Sequence, residues 1–217
     1  MAQTAVIIGD SHVDDWSPFG SKLESGLEKA GYQVTRLGVG ATSTYSWSFG
    51  KACRKGKCVE VDTVPKGAGL LLICLGTNDG ANAQAGGGDK AKAAAKTAER
   101  IKAMADKYGA SRTIWILPPW QRGNMKHYTQ DAMEYVYAAA PASGVELFDS
   151  RPSTKALVEG GSGDGVHPTG KSATAWADAI VAQVKAGAVR PRMGAIVGGL
   201  VSGLMLAYWY RRYRTAR

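Results

Sequence analysis

Apolar residues gather into five short runs along the chain, Thr4–Ile8, Gln33–Val39, Leu70–Leu75, Thr113–Leu117 and Val145–Phe148. Each has the length of a strand, and most are followed by a stretch in which apolar side chains return every three or four residues. The clearest such stretch is 89–108, where Ala91, Ala94, Ala98, Ile101, Ala105 and Tyr108 share one helical face and lysines take the other. Further helices fit 19–31, 125–140 and 169–186. Strands alternating with helices predict an α/β fold: a central parallel five-stranded sheet with both faces covered.

The pattern changes after residue 187. Residues 188–192, with Pro191, read as a linker that ends the last domain helix. From Met193 to Tyr210 there is no charged side chain, and arginines flank the run on both sides. At about 1.5 Å per helical residue this segment crosses a bilayer core of about 30 Å, so 193–210 is predicted to be a transmembrane helix and 211–217 its basic tail. Gly194-x-x-x-Gly198 and Gly199-x-x-x-Gly203 offer close helix contact in lipid, which makes self-association through the anchor an expectation. Residues 1–187 then form the folded domain.

Charge follows the same division. The chain of 217 residues carries a formal net charge of +9, with 27 basic and 18 acidic side chains. Six of the basic residues are arginines of 190–217, where no acid occurs, so 21 face 18 in the remainder. That near balance argues against nucleic-acid binding and assigns the excess to anionic lipid or to topology. Four distal arginines on the cytoplasmic side would place the domain outside, whereas insertion as a tail anchor would leave it in the cytoplasm. A virion or another envelope assembly is a third setting.

Four segments carry chemistry: Gly9-Asp10-Ser11, Gly38-Val39-Gly40, Gly76-Thr77-Asn78-Asp79 and Asp164-Gly165-Val166-His167. The first three follow apolar runs, so the parallel sheet brings them to one rim, the carboxyl ends of its strands. A serine hydroxyl needs a base, and a histidine base needs a group that fixes its tautomer. Asp164 and His167, three residues apart on one turn, suit that pairing, with Ser11 as nucleophile. The amides of Ser11 and Gly40 and the side chain of Asn78 are the candidate oxyanion donors.

On these four blocks the chain resembles the SGNH hydrolases, the GDSL esterase/lipase superfamily, over most of residues 4–186. The resemblance implies a flavodoxin-like three-layer α/β/α sandwich, Ser11, His167 and Asp164 as catalytic residues, an oxyanion hole of Ser11, Gly40 and Asn78, and no metal or organic cofactor. One departure is His12, where the family usually has leucine; it is a candidate to line the pocket.

Other residues carry weaker signals. Trp16, Trp47 and Trp120 lie near the motifs and are candidate sugar-stacking residues or core. Asp14 and Asp15 read as solvated, and His127 as a surface histidine. Gly80–Gly88 is read as a mobile lid or a flexible connection. Cys53 and Cys58 bracket Arg54-Lys55-Gly56-Lys57 at a spacing that closes a disulfide hairpin in an oxidising compartment, or remain free thiols in a reducing one. Cys74, inside an apolar run, reads as core. The expected function is a membrane-anchored serine esterase that removes a short acyl group, acetyl above others, from a carbohydrate or cell-envelope polymer. A lipid-directed lysophospholipase or thioesterase, and a non-catalytic module of a virion or envelope assembly, are the alternatives.

Overall fold

In the computed structural model, residues 3–188 are described, Asn124 excepted. The predicted linker, span and basic tail, 188–217, fall outside them apart from Ala188. Among the described residues no helix is long and apolar enough to cross a membrane.

The chain opens with β1 (Gln3–Gly9), α1 (Pro18–Lys29), β2 (Tyr32–Gly38) and a short α2 (Thr44–Ser48). A hairpin of β3 (Lys51–Arg54) and β4 (Lys57–Glu60) precedes β5 (Leu70–Cys74), α3 (Thr77–Gly86) and α4 (Lys90–Tyr108). β6 (Thr113–Ile116), α5 (Gln130–Ala139), β7 (Glu146–Phe148), α6 (Arg151–Glu159) and α7 (Gly170–Ala188) complete it. Five strands form one parallel sheet in the doubly wound order β2-β1-β5-β6-β7.

Alternation along the strands divides the core in two. Val6, Ile8, Leu71 and Ile73 face α2, α4 and α5, while Ala5, Ile7, Leu70 and Leu72 face α1 and α7. Register then positions the site. Gly9 of β1 stands opposite both Gly38 of β2 and Cys74 of β5. The segments after these three residues therefore leave the sheet at one level, and Ser11, Gly40 and Asn78 converge.

The expected strands agree with the observed ones to within one residue at each end. Helices differ more. The face of α4 buries Thr97 and Met104 and leaves Ala91 exposed, and Thr97 donates to Asp79 Oδ1 at 3.3 Å. The helix expected over 125–140 starts only at Gln130, capped by Thr129, because Met125–Tyr128 close a tight turn first. Gly80–Gly88 is not a mobile connection over most of its length: residues up to Gly86 continue α3. The reason is packing, since a Cβ at Gly80 would meet Met133 Cε at 2.9 Å and the Ala132 carbonyl at 3.0 Å. Glycine there lets α3 lie against α5 despite its low helix propensity.

Candidate active site

Ser11 follows β1 at the wall of a cavity of about 590 Å³. The His167 ring reaches it from the loop before α7, with Nε2 at 2.8 Å from Ser11 Oγ. On the other side of the ring Nδ1 lies 2.8 Å from Asp164 Oδ2. A carboxylate only accepts, so Nδ1 carries the hydrogen, and Nε2 is left as an acceptor for the serine hydroxyl. The loop is fixed by backbone: the amides of Val166 and His167 donate to Asp164 Oδ1 at 2.9 and 2.7 Å. Gly163, at φ +76°, is required there, because any Cβ would stand 2.0 Å from the His167 carbonyl oxygen.

Electrostatics set the protonation of this chain. Burial works against the Asp164 charge, but the His167 ring and the two amides outweigh it and hold the carboxyl down at about 2. The His167 pKa is lowered, first by burial and then by the charge of His12, against the pull of Asp164. His167 is thus neutral near pH 7 and competent to take a proton.

His12 is placed otherwise than expected. It is buried beneath the site and does not line the cavity. Its Nδ1 lies 2.8 Å from Asp10 Oδ1 and its Nε2 3.0 Å from the Val166 carbonyl. Both ring nitrogens face acceptors, so both carry hydrogens and the ring is an imidazolium. Burial opposes that charge, yet Asp10 and the Val166 carbonyl raise the pKa overall. The ring centroids of His12 and His167 are 5.2 Å apart.

The three candidate oxyanion donors differ in readiness. The Ser11 amide has no acceptor among the described residues. Gly40 N–H donates to Asp14 Oδ2 at 2.7 Å. The Asn78 amide donates to the Thr42 carbonyl at 2.8 Å and to Asp10 Oδ2 at 3.2 Å, while its Oδ1 accepts from the Tyr128 hydroxyl at 2.8 Å. Asp14 is correspondingly not the solvated residue expected from sequence. It is buried, held by the Lys57 ammonium at 2.5 Å, and kept ionised by that contact and two amides despite the cost of burial.

The tryptophans separate by burial. Trp47 is fully buried in the core, its indole donating to Thr42 Oγ1 at 3.0 Å, so it is not a substrate-binding residue. Trp120 does not line the cavity either; the Lys155 ammonium sits 4.4 Å from its ring centroid. Trp16 does line it, 59% exposed, with its ring edge-on to His167 at 5.2 Å between centroids. His127 stays away from the cavity, and Cys74 is a buried free thiol whose pKa burial drives well up. Cys53 and Cys58 pair across β3 and β4 as a disulfide.

Sequence reasoning missed Tyr128 and Asp79. Asp79, half-buried, accepts from the Thr44 hydroxyl at 2.5 Å and from the Thr44 amide, and so ties the loop after Gly40 to α3. Burial pushes its carboxyl up against those hydrogen bonds. The adjoining Thr-Asn-Asp run is the signal: two polar residues beside Asn78 that a helix start alone does not need. Tyr128 has no comparable signal, since its role depends on the turn before α5.

A family profile described as GDSL-like lipase/acylhydrolase matches residues 6–180. The chain is similar to protein BcsX of Komagataeibacter xylinus, 25% identical over 203 residues, covering 82% of this chain and 75% of that one. Among solved structures, it is similar in fold to a lipase/acylhydrolase from Enterococcus faecalis, with a TM-score of 0.63, 17% identity, and coverage of 88% of this chain and 100% of that one. It is similar also to a catalytic mutant of an acetylxylan esterase from Geobacillus stearothermophilus, with a TM-score of 0.59, 14% identity, and coverage of 84% and 94%.

Proposed function

We propose, from the premise that the chain belongs to the GDSL-like lipase/acylhydrolase family and is an ester hydrolase, that it removes short acyl groups, acetyl foremost, from a carbohydrate. The observation that carries this reading is the hydrogen-bonded chain Ser11–His167–Asp164, with both links at 2.8 Å, opening on the cavity. In this reading Ser11 Oγ attacks the ester carbonyl as His167 Nε2 takes its proton. The resulting imidazolium is steadied by Asp164 and returns the proton to the leaving alcohol. Water then repeats the sequence on the acyl-enzyme and releases the acid.

The Ser11 amide meets the oxyanion first. Gly40 joins when Asp14 withdraws, and Asn78 contributes only by sharing a hydrogen already given to Thr42 or Asp10. A short acyl group fits because the wall beside Ser11 holds Asp14, Lys57 and Arg54 rather than an apolar channel. Exposed Trp16 at the rim offers a face for a sugar ring. The acetylxylan esterase likeness supports a carbohydrate ester as the first class to try.

The test is hydrolysis of p-nitrophenyl acetate by the full chain beside its Ser11→Ala variant. Turnover abolished by the substitution supports the reading; turnover indifferent to it removes Ser11 as nucleophile. Anchoring by 193–210 rests on that apolar run and its flanking arginines. It predicts that the full chain stays with lipid vesicles through an alkaline carbonate wash.

A further inference from the structure

The hairpin β3–β4 reaches the cavity with its turn, closed behind by the Cys53–Cys58 bond. Lys55 and Gly56 both have positive φ, 47° and 83°. That two-residue turn favours Asn-Gly, since both positions lie in the left-handed region. A lysine at the first position is not what the turn requires, and it borders the cavity together with Arg54.

Neighbouring cations on the same hairpin are paired. Lys51 meets Glu60 at 2.6 Å, and Lys57 meets Asp14 at 2.5 Å and Asp15 at 2.7 Å. Asp14 and Asp15, the carboxylates of this wall, are thereby taken. Arg54 and Lys55 have no acidic partner among the described residues. The charge of Arg54 reaches the Tyr128 hydroxyl, opposing the upward shift that burial and Asp10 impose on it, and Tyr128 is the residue that holds Asn78. Two cations without partners therefore stand over the same cavity as Ser11, on a covalently closed turn.

We propose that Arg54 and Lys55 form a subsite for an anionic substituent on the alcohol side of the ester, so that the favoured substrate is an acylated acidic sugar. The inference rests on the esterase reading above and names its substrate class. A carboxylate is a substituent that the geometry of arginine matches, since a planar guanidinium engages it through two parallel hydrogen bonds. A sugar phosphate presents more negative charge with different geometry, and the test separates the two. At a solvent-open site such contacts are screened by salt, which gives a second readout.

The experiment compares acetate release by the full chain from acetylated methyl glucoside, acetylated methyl glucuronoside and the corresponding acetylated sugar phosphate. Expected is a kcat/KM for the glucuronoside about two- to fivefold above that for the neutral glucoside at low salt. The ratio shrinks between about 0.05 and about 0.5 M salt and falls towards unity in Arg54→Ala/Lys55→Ala. A phosphate preferred over the carboxylate retains the subsite and changes the source of its anion. A ratio at or below unity in the wild type, with Ser11-dependent turnover of p-nitrophenyl acetate intact, overturns the subsite and leaves the esterase reading standing. Direct titration of methyl glucuronoside and methyl glucoside into the full chain reads the subsite without turnover. Tighter glucuronoside binding that the double substitution removes supports the subsite; equal affinity for the two overturns it.

Discussion

The Asp14 carboxylate accepts the Gly40 amide hydrogen, Oδ2 to N at 2.7 Å, beside the Ser11 side chain. An anion thus already stands on the donor that a developing oxyanion would use. Lys57 and the Asp15 amide hold the other oxygen at 2.5 and 2.7 Å, so the carboxylate stays ionised and in place at neutral pH. An ester must displace it to gain the second donor. Asp14→Ala is expected to raise kcat for p-nitrophenyl acetate by about tenfold, short of the ~10²–10³ that one complete donor contributes. Asp14→Asn, whose carbonyl can still accept from Gly40, should raise it less. Slower turnover in the alanine variant would show that Asp14 supports the site instead of occupying it.

His12 is expected to govern where activity begins on the pH scale. Its cation, fixed by Asp10 and the Val166 carbonyl, lies 5.2 Å from the His167 ring and lowers that residue's pKa beyond the effect of burial. Removing the charge favours protonated His167, so the acid limb of kcat/KM moves to higher pH. His12→Gln is the suitable change, because the amide keeps a donor for Asp10 where an apolar residue would leave a buried carboxylate unpaired. The pH profile of p-nitrophenyl acetate hydrolysis reads the effect. The linkage runs the other way for His12 itself. Its pKa is raised on folding, so its contribution to stability is complete below about 6.5 and is lost as pH rises through the folded value.

Most of this architecture was legible because it is local. Each strand is a short apolar run, and register follows from three glycine- or cysteine-ended strands that align at Gly9, Gly38 and Cys74. Ser11, His167 and Asp164 were legible because their segments leave the sheet on one rim. What the sequence hid depends on distant partners. Asp14 looked solvated because its partners, Gly40 and Lys57, lie 26 and 43 residues away. His12 has the look of a pocket residue, and the Val166 carbonyl, 154 residues on, joins Asp10 in holding its ring inward. Gly80 suggests mobility by its composition, yet the close approach of Met133 makes it a packing residue.

The acid limb should reflect one proton. Asp164 titrates at about 2, held there by the His167 ring and two amides against burial, so it remains ionised wherever His167 changes charge. Between about pH 4 and 8 the slope of log kcat/KM is expected to be one at most. Asp164→Asn removes the charge that steadies the imidazolium and permits the wrong ring tautomer, and kcat should fall by about 10³–10⁴. Stability should change little, because the Asp164 side chain is 52% exposed and solvent screens the pair. Thermal unfolding measured beside kcat separates the two effects. A large loss of stability would make Asp164 a fold residue first.

Trp16 and Trp47 offer a paired test of which aromatic residues serve the fold and which serve the cavity. Trp47 has no exposed surface and packs in the core on the α4 face of the sheet. Its truncation to alanine leaves a void and takes the indole donor from the Thr42 hydroxyl, which keeps its bond to the Val39 carbonyl, and should cost about 3–5 kcal/mol of stability. Thr42 also supplies the carbonyl that holds Asn78, so activity should decline with folding. Trp16, 59% exposed, has little to lose in the core, and Trp16→Ala should change stability by no more than about 0.5 kcal/mol. Its ring borders both the cavity and His167, so its loss should raise KM for an acetylated oligosaccharide more than for p-nitrophenyl acetate. Equal KM changes for the two esters would mean that Trp16 shields His167 and does not hold a sugar.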